Sequence, residues 1–204
     1  MFSTGTKKIL RPGIFWLSMF ASLFGYSDEQ QVVIETTLGR IVVALDLQRA
    51  PISASNFLRY VDGQHFDNTS FYRTVTLDND NGSPKIEVIQ GGLNVENTPF
   101  PGIAHESTAT SGLKHIDGAL SMARGDPGTA SSEFFICIGD QPGLDFGASR
   151  NPDKLGFAVF GQVVEGMDIV RRIHRSAARG ASESEYTNGQ MLDPQIVIET
   201  IRRL

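Results

Sequence analysis

The sequence predicts a mainly β protein, folded as a closed antiparallel barrel with a helix at each open end. Short β-rich runs separated by turn residues recur along the chain, and only two stretches have helical periodicity. Glycine is frequent, with 21 residues, and cysteine occurs once. This usage favours a turn-rich β fold and excludes a disulfide framework. Closing such a sheet removes its exposed edges, and helices can cover the two open ends.

The first predicted elements are a β-hairpin and a helix. The runs 31–35 and 40–47 are β-rich, and a turn at 37–39 joins them. In the second run apolar residues recur at every other position, which directs one face to a core. Pro51 opens a helix and Gly63 ends it. Its apolar stripe has the spacing i, i+3, i+4, i+7 and consists of Ala54, Phe57, Leu58 and Val61.

The rest of the chain continues the same pattern. A second short helix is predicted at about 166–174, with Met167, Val170 and Ile173 on one side. No internal repeat or low-complexity tract follows Gln31, so we expect one domain. The further strands are predicted at 70–76, 85–90, 119–123, 133–139, 157–164 and 195–201.

The N-terminal segment differs from the rest. Basic residues among the first eleven positions precede an uncharged, largely apolar run at 13–26. Such a run is too short to span a bilayer comfortably, but it suits the apolar region of a signal peptide. We therefore expect residues 1–27 to be a signal peptide or a signal anchor, and residues 28–204 to form the folded domain. A buried helix of the domain is the remaining alternative for the apolar run.

The expected cleavage site bears on the location of the protein. Gly25 and Ser27 place small residues before a cut between Ser27 and Asp28. The protein is then expected in the periplasm or another extracytoplasmic space, or anchored to the inner membrane where the segment is retained. An uncleaved segment would be its only contact with a membrane. Cys137 would be a lone thiol in an oxidising space, so we expect it to be buried.

Five sequence motifs occur in a fixed order along the chain. They are FYR at 71–73, VIQGG at 88–92, GALSMAR at 118–124, SSEFFICIG at 131–139 and FAVFGQVVEGMDIV at 157–170. Together they closely resemble the cyclophilin family, and the resemblance covers about residues 31–204. It implies an eight-stranded barrel capped by two helices, and the activity of a peptidyl-prolyl cis/trans isomerase (rotamase).

The resemblance also implies the catalytic residues. Rotation about a prolyl amide is opposed by C–N resonance, with a barrier of roughly 18–20 kcal/mol. At the twisted transition state the proline nitrogen gains a basic lone pair, so a donor aimed at it stabilises that state and not the planar ground state. Arg73 matches the family arginine that supplies this donor, and Gln90 matches the glutamine that orients it. This chemistry requires no nucleophile, and we expect no metal and no cofactor.

The resemblance implies a pocket for the proline ring as well. The ring packs as a small hydrocarbon and needs an apolar slot. Ala123 and Arg124 match positions whose backbone meets the residues before the proline. Phe135 should face the pocket, while its strand neighbours at 134, 136 and 138 face the other way. The apolar residues that match the lining are Val88, Phe135, Leu144 and Phe157.

Several positions depart from the common family pattern. Glu133 replaces a glutamine of the substrate site and is expected to place a carboxylate near Arg73, where it could hold the guanidinium fork. Glu87 stands where an aromatic pocket residue is usual, and Gly143 stands where many relatives have a tryptophan. The stretch 77–85 is longer than usual. These changes bear on substrate range and rate more than on the type of reaction.

Two functions from different classes remain open. The first is an enzyme that accelerates slow prolyl steps in the folding of exported proteins, steps that otherwise take about 10–100 s. The second is a cyclophilin-fold chaperone or binding module with weak or no turnover. In both cases the partners are proline-containing segments of unfolded or exported proteins, bound by a monomer. The net charge of −5 argues against nucleic acid.

The four histidines suggest no further site. They show no metal-ligand spacing with carboxylates or with the cysteine, so we expect them at the surface. They are His65, His105, His115 and His174.

Overall fold

The computed structural model describes residues 1–2, 30–93 and 98–204. Apart from Met1 and Phe2, the expected signal segment therefore lies outside the described residues. Within those ranges, no helix is both long enough and apolar enough to cross a membrane.

Eight antiparallel strands form the body of the protein. They are β1 Gln30–Thr36, β2 Gly39–Leu45, β3 Thr69–Val75, β4 Val88–Gly92, β5 Ala119–Met122, β6 Glu133–Cys137, β7 Ala158–Glu165 and β8 Met191–Arg203. They close into a barrel in the order β1-β2-β7-β5-β6-β4-β3-β8. The predicted fold class is confirmed, and the first hairpin has its turn between Thr36 and Gly39.

Two strand starts differ from the prediction by three residues or more, and the other boundaries differ by one or two. Strand β4 begins at Val88 and not at 85, because the backbone N–H of Ile86 donates to a carboxylate oxygen of Asp80 at 2.8 Å instead of joining the ladder. Strand β8 starts earlier than predicted, at Met191, because it pairs with β3 as well as with β1. The register of the β3–β8 pair shifts between Phe71 and Arg73.

The helices are α1 Pro51–Asp62, α2 Thr108–Ser111 and α3 Met167–His174. Helix α1 buries its predicted apolar stripe and packs against β7 and β8. Helix α3 buries Val170 and Ile173 and packs against β2, β3 and β4. Both predicted helices are therefore present. The single helical turn α2 was not predicted, because four residues are too few to show the apolar spacing by which a helix is recognised in a sequence.

Strand β6 separates two hydrophobic clusters. Phe134 and Ile136 point into the barrel, where they join the main core with the apolar stripe of α1. Phe135 and Cys137 point outward into a second cluster that includes Val88. This alternation agrees with the predicted period of two. Cys137 is fully buried, as expected of a lone thiol.

Helix α1 obtains its N-terminal cap from a distant segment. Its N-cap position is Ala50, which has no side-chain acceptor. The carboxylate of Glu106 accepts instead, from Ile52 N at 3.3 Å and Ser53 N at 3.0 Å. Glu106 is buried, and its negative charge faces the positive end of the helix dipole.

Replacing Glu106 with alanine is expected to lower the free energy of unfolding by about 1–3 kcal/mol, because two N–H groups at the helix start lose their acceptor. Urea unfolding followed by circular dichroism measures the change. The exposed loop residue Glu183 is the matched control, and its alanine variant should stay within about 0.5 kcal/mol of wild type. Equal stability of the two variants would contradict the capping role.

Candidate active site

A cavity of about 120 Å³ lies on the outer wall of the barrel, over the second hydrophobic cluster. Eight of the nine residues predicted for the site line it, and Glu133 does not. The lining residues are Arg73, Ile86, Val88, Gln90, Ala123, Arg124, Phe135, Leu144, Arg150, Phe157 and Tyr186.

The floor of the cavity is apolar and rigid. Phe135 is buried, and the edge of the Phe157 ring meets it at a centroid distance of 5.3 Å. The imidazole of His115 stacks on the Phe135 ring at 5.9 Å. A small apolar ring fits such a slot without leaving a polar group unpaired.

His115 and His174 are buried, so the expectation of surface histidines is wrong for these two. Burial lowers the pKa of His115, although the nearby carboxylate of Asp145 opposes the shift. The neutral ring donates from Nδ1 to Asp145 at 2.8 Å and accepts at Nε2 from the hydroxyl of Ser121 at 3.0 Å. These bonds replace the water that a surface position would supply, and they fix the ring against Phe135.

Arg73 lies at the rim of the cavity, on β3. Its Nη1 donates to Oε1 of Gln90 at 2.8 Å. Its Nε and Nη2 both donate to Oε1 of Gln190, at 2.8 and 2.6 Å. Burial lowers the pKa of Arg73, but a guanidinium remains protonated at neutral pH. The rim of the pocket therefore holds a fixed positive charge.

The amide of Gln90 has a defined orientation. Its Nε2 donates to the hydroxyl oxygen of Tyr72 at 2.6 Å and to Oε2 of Glu133 at 3.5 Å. Because the Arg73 guanidinium can only donate, Oε1 of Gln90 faces Arg73 and the amide nitrogen faces Tyr72 and Glu133.

Glu133 reaches Arg73 only through these intermediates. The expectation that its carboxylate holds the guanidinium fork is wrong, because the fork is held by Gln90 and Gln190. Glu133 borders a neighbouring cavity together with Tyr72. Burial raises the pKa of Glu133, although the nearby Tyr72 hydroxyl and the positive charge of Arg73 oppose the shift.

The hydrogen bonds of Arg73 determine which donors remain for a ligand. A guanidinium has five N–H groups. Within the described residues, Gln90 and Gln190 take three of them, and one N–H remains on each of Nη1 and Nη2. The donors that remain are therefore one N–H on each of the two terminal nitrogens.

Arg124 closes one wall of the pocket with its side chain. The side chain is nearly fully buried and forms a two-point ion pair with Asp153 at 2.8 and 3.0 Å. It also donates to the backbone oxygen of Gly156, and its guanidinium carbon lies 5.4 Å from the centre of the Phe157 ring. The predicted contact of the 123–124 backbone with substrate stays a prediction.

The opposite wall consists of residues that the sequence analysis did not find. Arg150 forms a two-point ion pair with Asp80 at 2.7 and 2.8 Å and donates to the Tyr186 hydroxyl at 2.7 Å. The Tyr186 ring lies 5.4 Å from the guanidinium carbon of Arg73. No periodic pattern marks these residues, because they lie on three separate loops that meet only in the folded protein.

The family departures at this wall have a structural explanation. Ile86, and not Glu87, lines the cavity, and Glu87 instead lies 3.9 Å from His174. A Cβ atom at Gly143 would come within 2.6 Å of the Pro84 ring. The long loop therefore occupies space into which a larger side chain at 143 would project.

Among the residues that the structure describes, no three His, Cys, Asp or Glu side chains are placed so that they could share an ion.

Comparisons with known proteins point to one family. The family described as cyclophilin type peptidyl-prolyl cis-trans isomerase/CLD matches residues 31–202. Peptidyl-prolyl cis-trans isomerase A of Dickeya dadantii is 33% identical over 174 residues, which cover 82% of this chain and 84% of that protein. Peptidyl-prolyl cis-trans isomerase B of Escherichia coli is 35% identical over 159 residues, covering 74% of this chain and 87% of that protein.

A solved structure shares the fold. The crystal structure of a cyclophilin type isomerase of Cryptosporidium parvum matches with a TM-score of 0.62 and 22% identity, covering 86% of this chain and 98% of that one.

The fold and the site define a class of protein: a closed β-barrel that carries a small, largely apolar cavity on its outer wall beside an arginine held by two glutamines. Among the described residues, no Ser, Thr, Cys or Lys lines the cavity, so the wall offers no nucleophile of these types. The chain belongs to the cyclophilin family. It is a peptidyl-prolyl cis-trans isomerase.

Proposed function

We propose that Arg73 is the catalytic donor of this isomerase. As the prolyl amide twists, its nitrogen gains a lone pair, and the two remaining N–H groups of Arg73, one each on Nη1 and Nη2, would donate to it. The observation that supports this proposal is the three-point fixation of the guanidinium by Gln90 and Gln190. A donor held in place before the reaction costs no reorganisation when the amide twists.

The proline ring would occupy the apolar slot. Val88, Phe135, Leu144 and Phe157 line that slot next to the arginine. The Cryptosporidium parvum cyclophilin has also been crystallised in the presence of the dipeptide Ala-Pro, which supports proline-containing segments as the ligands here. Two-dimensional NMR with an Ala-Pro peptide tests this placement. Resonances of Phe135 and Phe157 should shift, whereas those of Phe57 in the interior core should not.

We further propose that the protein is exported, acts as a monomer and accelerates the folding of other exported proteins. The basic residues, the short apolar run at 13–26 and the small residues at 25 and 27 support export. Proline isomerisation is slow enough to limit folding, and an extracytoplasmic isomerase would meet its clients as they emerge unfolded.

The export proposal predicts a mature N-terminus near Asp28 in an extracytoplasmic fraction, because signal peptidase would cut after Ser27. Cell fractionation followed by N-terminal sequencing measures this. A variant with Lys7, Lys8 and Arg11 replaced by serine is the control and should be processed less completely. Met1 on a soluble cytoplasmic protein would contradict export, and Met1 on a membrane-bound protein would support the signal-anchor alternative.

A further inference from the structure

We propose that Gln190 is a positioning residue for catalysis. In this proposal the long loop after β3 contributes to the active site, because its residue Asn79 holds the side chain of Gln190 in place. The inference rests on the proposed role of Arg73. It assigns a catalytic purpose to a segment that would otherwise be a surface insertion.

Gln190 is the principal holder of the catalytic arginine. Its side chain is fully buried, and its Oε1 accepts from two nitrogens of Arg73, whereas Gln90 accepts from one. Nε2 of Gln190 donates to the backbone oxygen of Asn79 at 2.8 Å. Because that partner can only accept, the amide cannot turn over, and Oε1 must face the guanidinium.

Asn79 ties the long loop to strand β3 and to the segment just before β8. Its Nδ2 donates to the backbone oxygens of Thr74 at 3.2 Å and Gly189 at 3.0 Å. Its Oδ1 accepts from Thr76 N at 2.7 Å. The backbone oxygen of Gln190 in turn accepts from Thr74 N at 2.9 Å. The Asn79 side chain thus donates two hydrogen bonds and accepts one, and these fix the backbone oxygen to which Gln190 donates.

The hydrogen bonds to Gln190 and Gln90 determine which N–H groups of the Arg73 guanidinium remain free to donate to a substrate. Gln190 takes the edge formed by Nε and Nη2, and Gln90 takes one N–H of Nη1. Without Gln190 the guanidinium can turn about its long side chain, and the two remaining donors lose their direction. Peptide binding should survive, since the apolar slot is formed by other residues. The effect should therefore fall on kcat and not on KM.

The test is the Gln190→Leu variant, assayed on a cis-proline tetrapeptide. We expect kcat to fall by about tenfold with KM within about twofold, because a misdirected donor loses stabilisation only at the transition state. Gln190→Glu should recover only part of this loss, because a carboxylate can accept from Nε and Nη2 together but has no N–H to donate to the backbone oxygen of Asn79. Gln162→Leu is the matched control: this part-buried amide donates to the backbone oxygen of Asp117 at 2.7 Å, outside the pocket.

A direct spectroscopic readout separates positioning from a general loss of structure. The Nε–H of Arg73 should give a protected resonance in the ¹H–¹⁵N spectrum of wild type, Gln190→Glu and Gln162→Leu. In Gln190→Leu that resonance should shift and exchange rapidly with water. If Gln190→Leu does not fold, Asn79→Ala replaces it, and there we expect a loss of about threefold in kcat.

A double variant distinguishes this inference from the proposal on which it rests. If Gln190 acts only through Arg73, adding Gln190→Leu to Arg73→Ala should lower the rate no further. Independent losses that multiply, a raised KM with unchanged kcat, or full activity of Gln190→Leu would each overturn the positioning role. If instead Arg73→Ala itself stays active, the donor role of Arg73 is what fails.

Discussion

Arg73→Ala is expected to lower kcat/KM by about 10²–10³-fold, with nearly all of the loss in kcat. The contact strengthens only as the amide twists, and removal of one preorganised donor elsewhere costs about 2.7–4 kcal/mol in the barrier. Peptide affinity should change little, because the apolar slot is left intact. The measurement is the cis-to-trans rate of a proline tetrapeptide with wild type and variant at matched concentrations.

The controls for this variant separate geometry from charge. Arg73→Lys should recover little, since a point charge cannot reproduce the planar fork. Gln90→Ala should lose less than Arg73→Ala, because Gln190 still holds two of the three guanidinium contacts. Arg202 forms a two-point ion pair with Asp67 outside the pocket, so Arg202→Ala should leave the rate unchanged. If Arg73→Ala keeps more than about half of the wild-type rate, the donor mechanism is wrong and catalysis must come from other residues.

Asp80→Ala is expected to have the largest effect on stability, a loss of about 3–5 kcal/mol in the free energy of unfolding. Both side chains of the Asp80–Arg150 pair are almost fully buried, at 0% and 3% exposure. Removing the carboxylate leaves a buried guanidinium without its partner. Asp80 also accepts from the backbone of Gly82 and Ile86, at 3.0 and 2.8 Å. Urea unfolding measures the loss.

A double-mutant cycle provides the control for this prediction. Asp80→Ala combined with Arg150→Met should cost less than Asp80→Ala alone, because no unpaired charge remains. The exposed pair of Asp62 and Arg203 is the matched comparison, and Asp62→Ala should cost no more than about 1 kcal/mol. If Asp80→Ala lowers the free energy of unfolding by less than about 1 kcal/mol, the Asp80–Arg150 pair does not contribute substantially to stability.

The same pair predicts a pH dependence. Burial alone would raise the pKa of Asp80, but hydrogen bonds from Arg150 and from the backbone of Gly82 and Ile86 hold it below the ordinary value. A folded-state pKa below the unfolded one stabilises the protein at all pH values above the unfolded pKa. This contribution is lost as the pH falls through the folded pKa. In Asp80→Ala the free energy of unfolding should therefore fall less steeply with decreasing pH in the acid range than it does in wild type.

Local patterns in the sequence were sufficient to predict the strands of the barrel and the two longer helices, α1 and α3. The helix that begins at Pro51 follows from an apolar period of 3.6 residues. The opposite orientations of Phe134 and Phe135 follow from the period of 2 in a strand. Both periods depend only on residues close together in the sequence. The pocket floor could be named because its members lie in motifs that resemble the family. Each of these inferences uses residues close together along the chain.

The outer wall of the site could not be predicted in this way. Asp80 and Arg150 are 70 positions apart, and the choice of one carboxylate among many depends on how two irregular loops close. Gln190 lies between a turn and the start of β8, where no pattern distinguishes a buried amide from an exposed one. The contact expected of Glu133 is made by Gln190 instead, since a motif places a residue on its strand but does not determine which distant acceptor reaches a side chain on another strand.

The outward face of β6 has a practical consequence for reagents that modify sulfur. Cys137 is the single cysteine of the chain, and burial raises the pKa of its thiol, so the nucleophilic thiolate is scarce. Maleimides and iodoacetamide should therefore leave the native protein unlabelled. A cysteine introduced at the exposed Glu183 would be the one site they modify, and a fluorophore there could report on the Tyr186 loop without removal of the native sulfur.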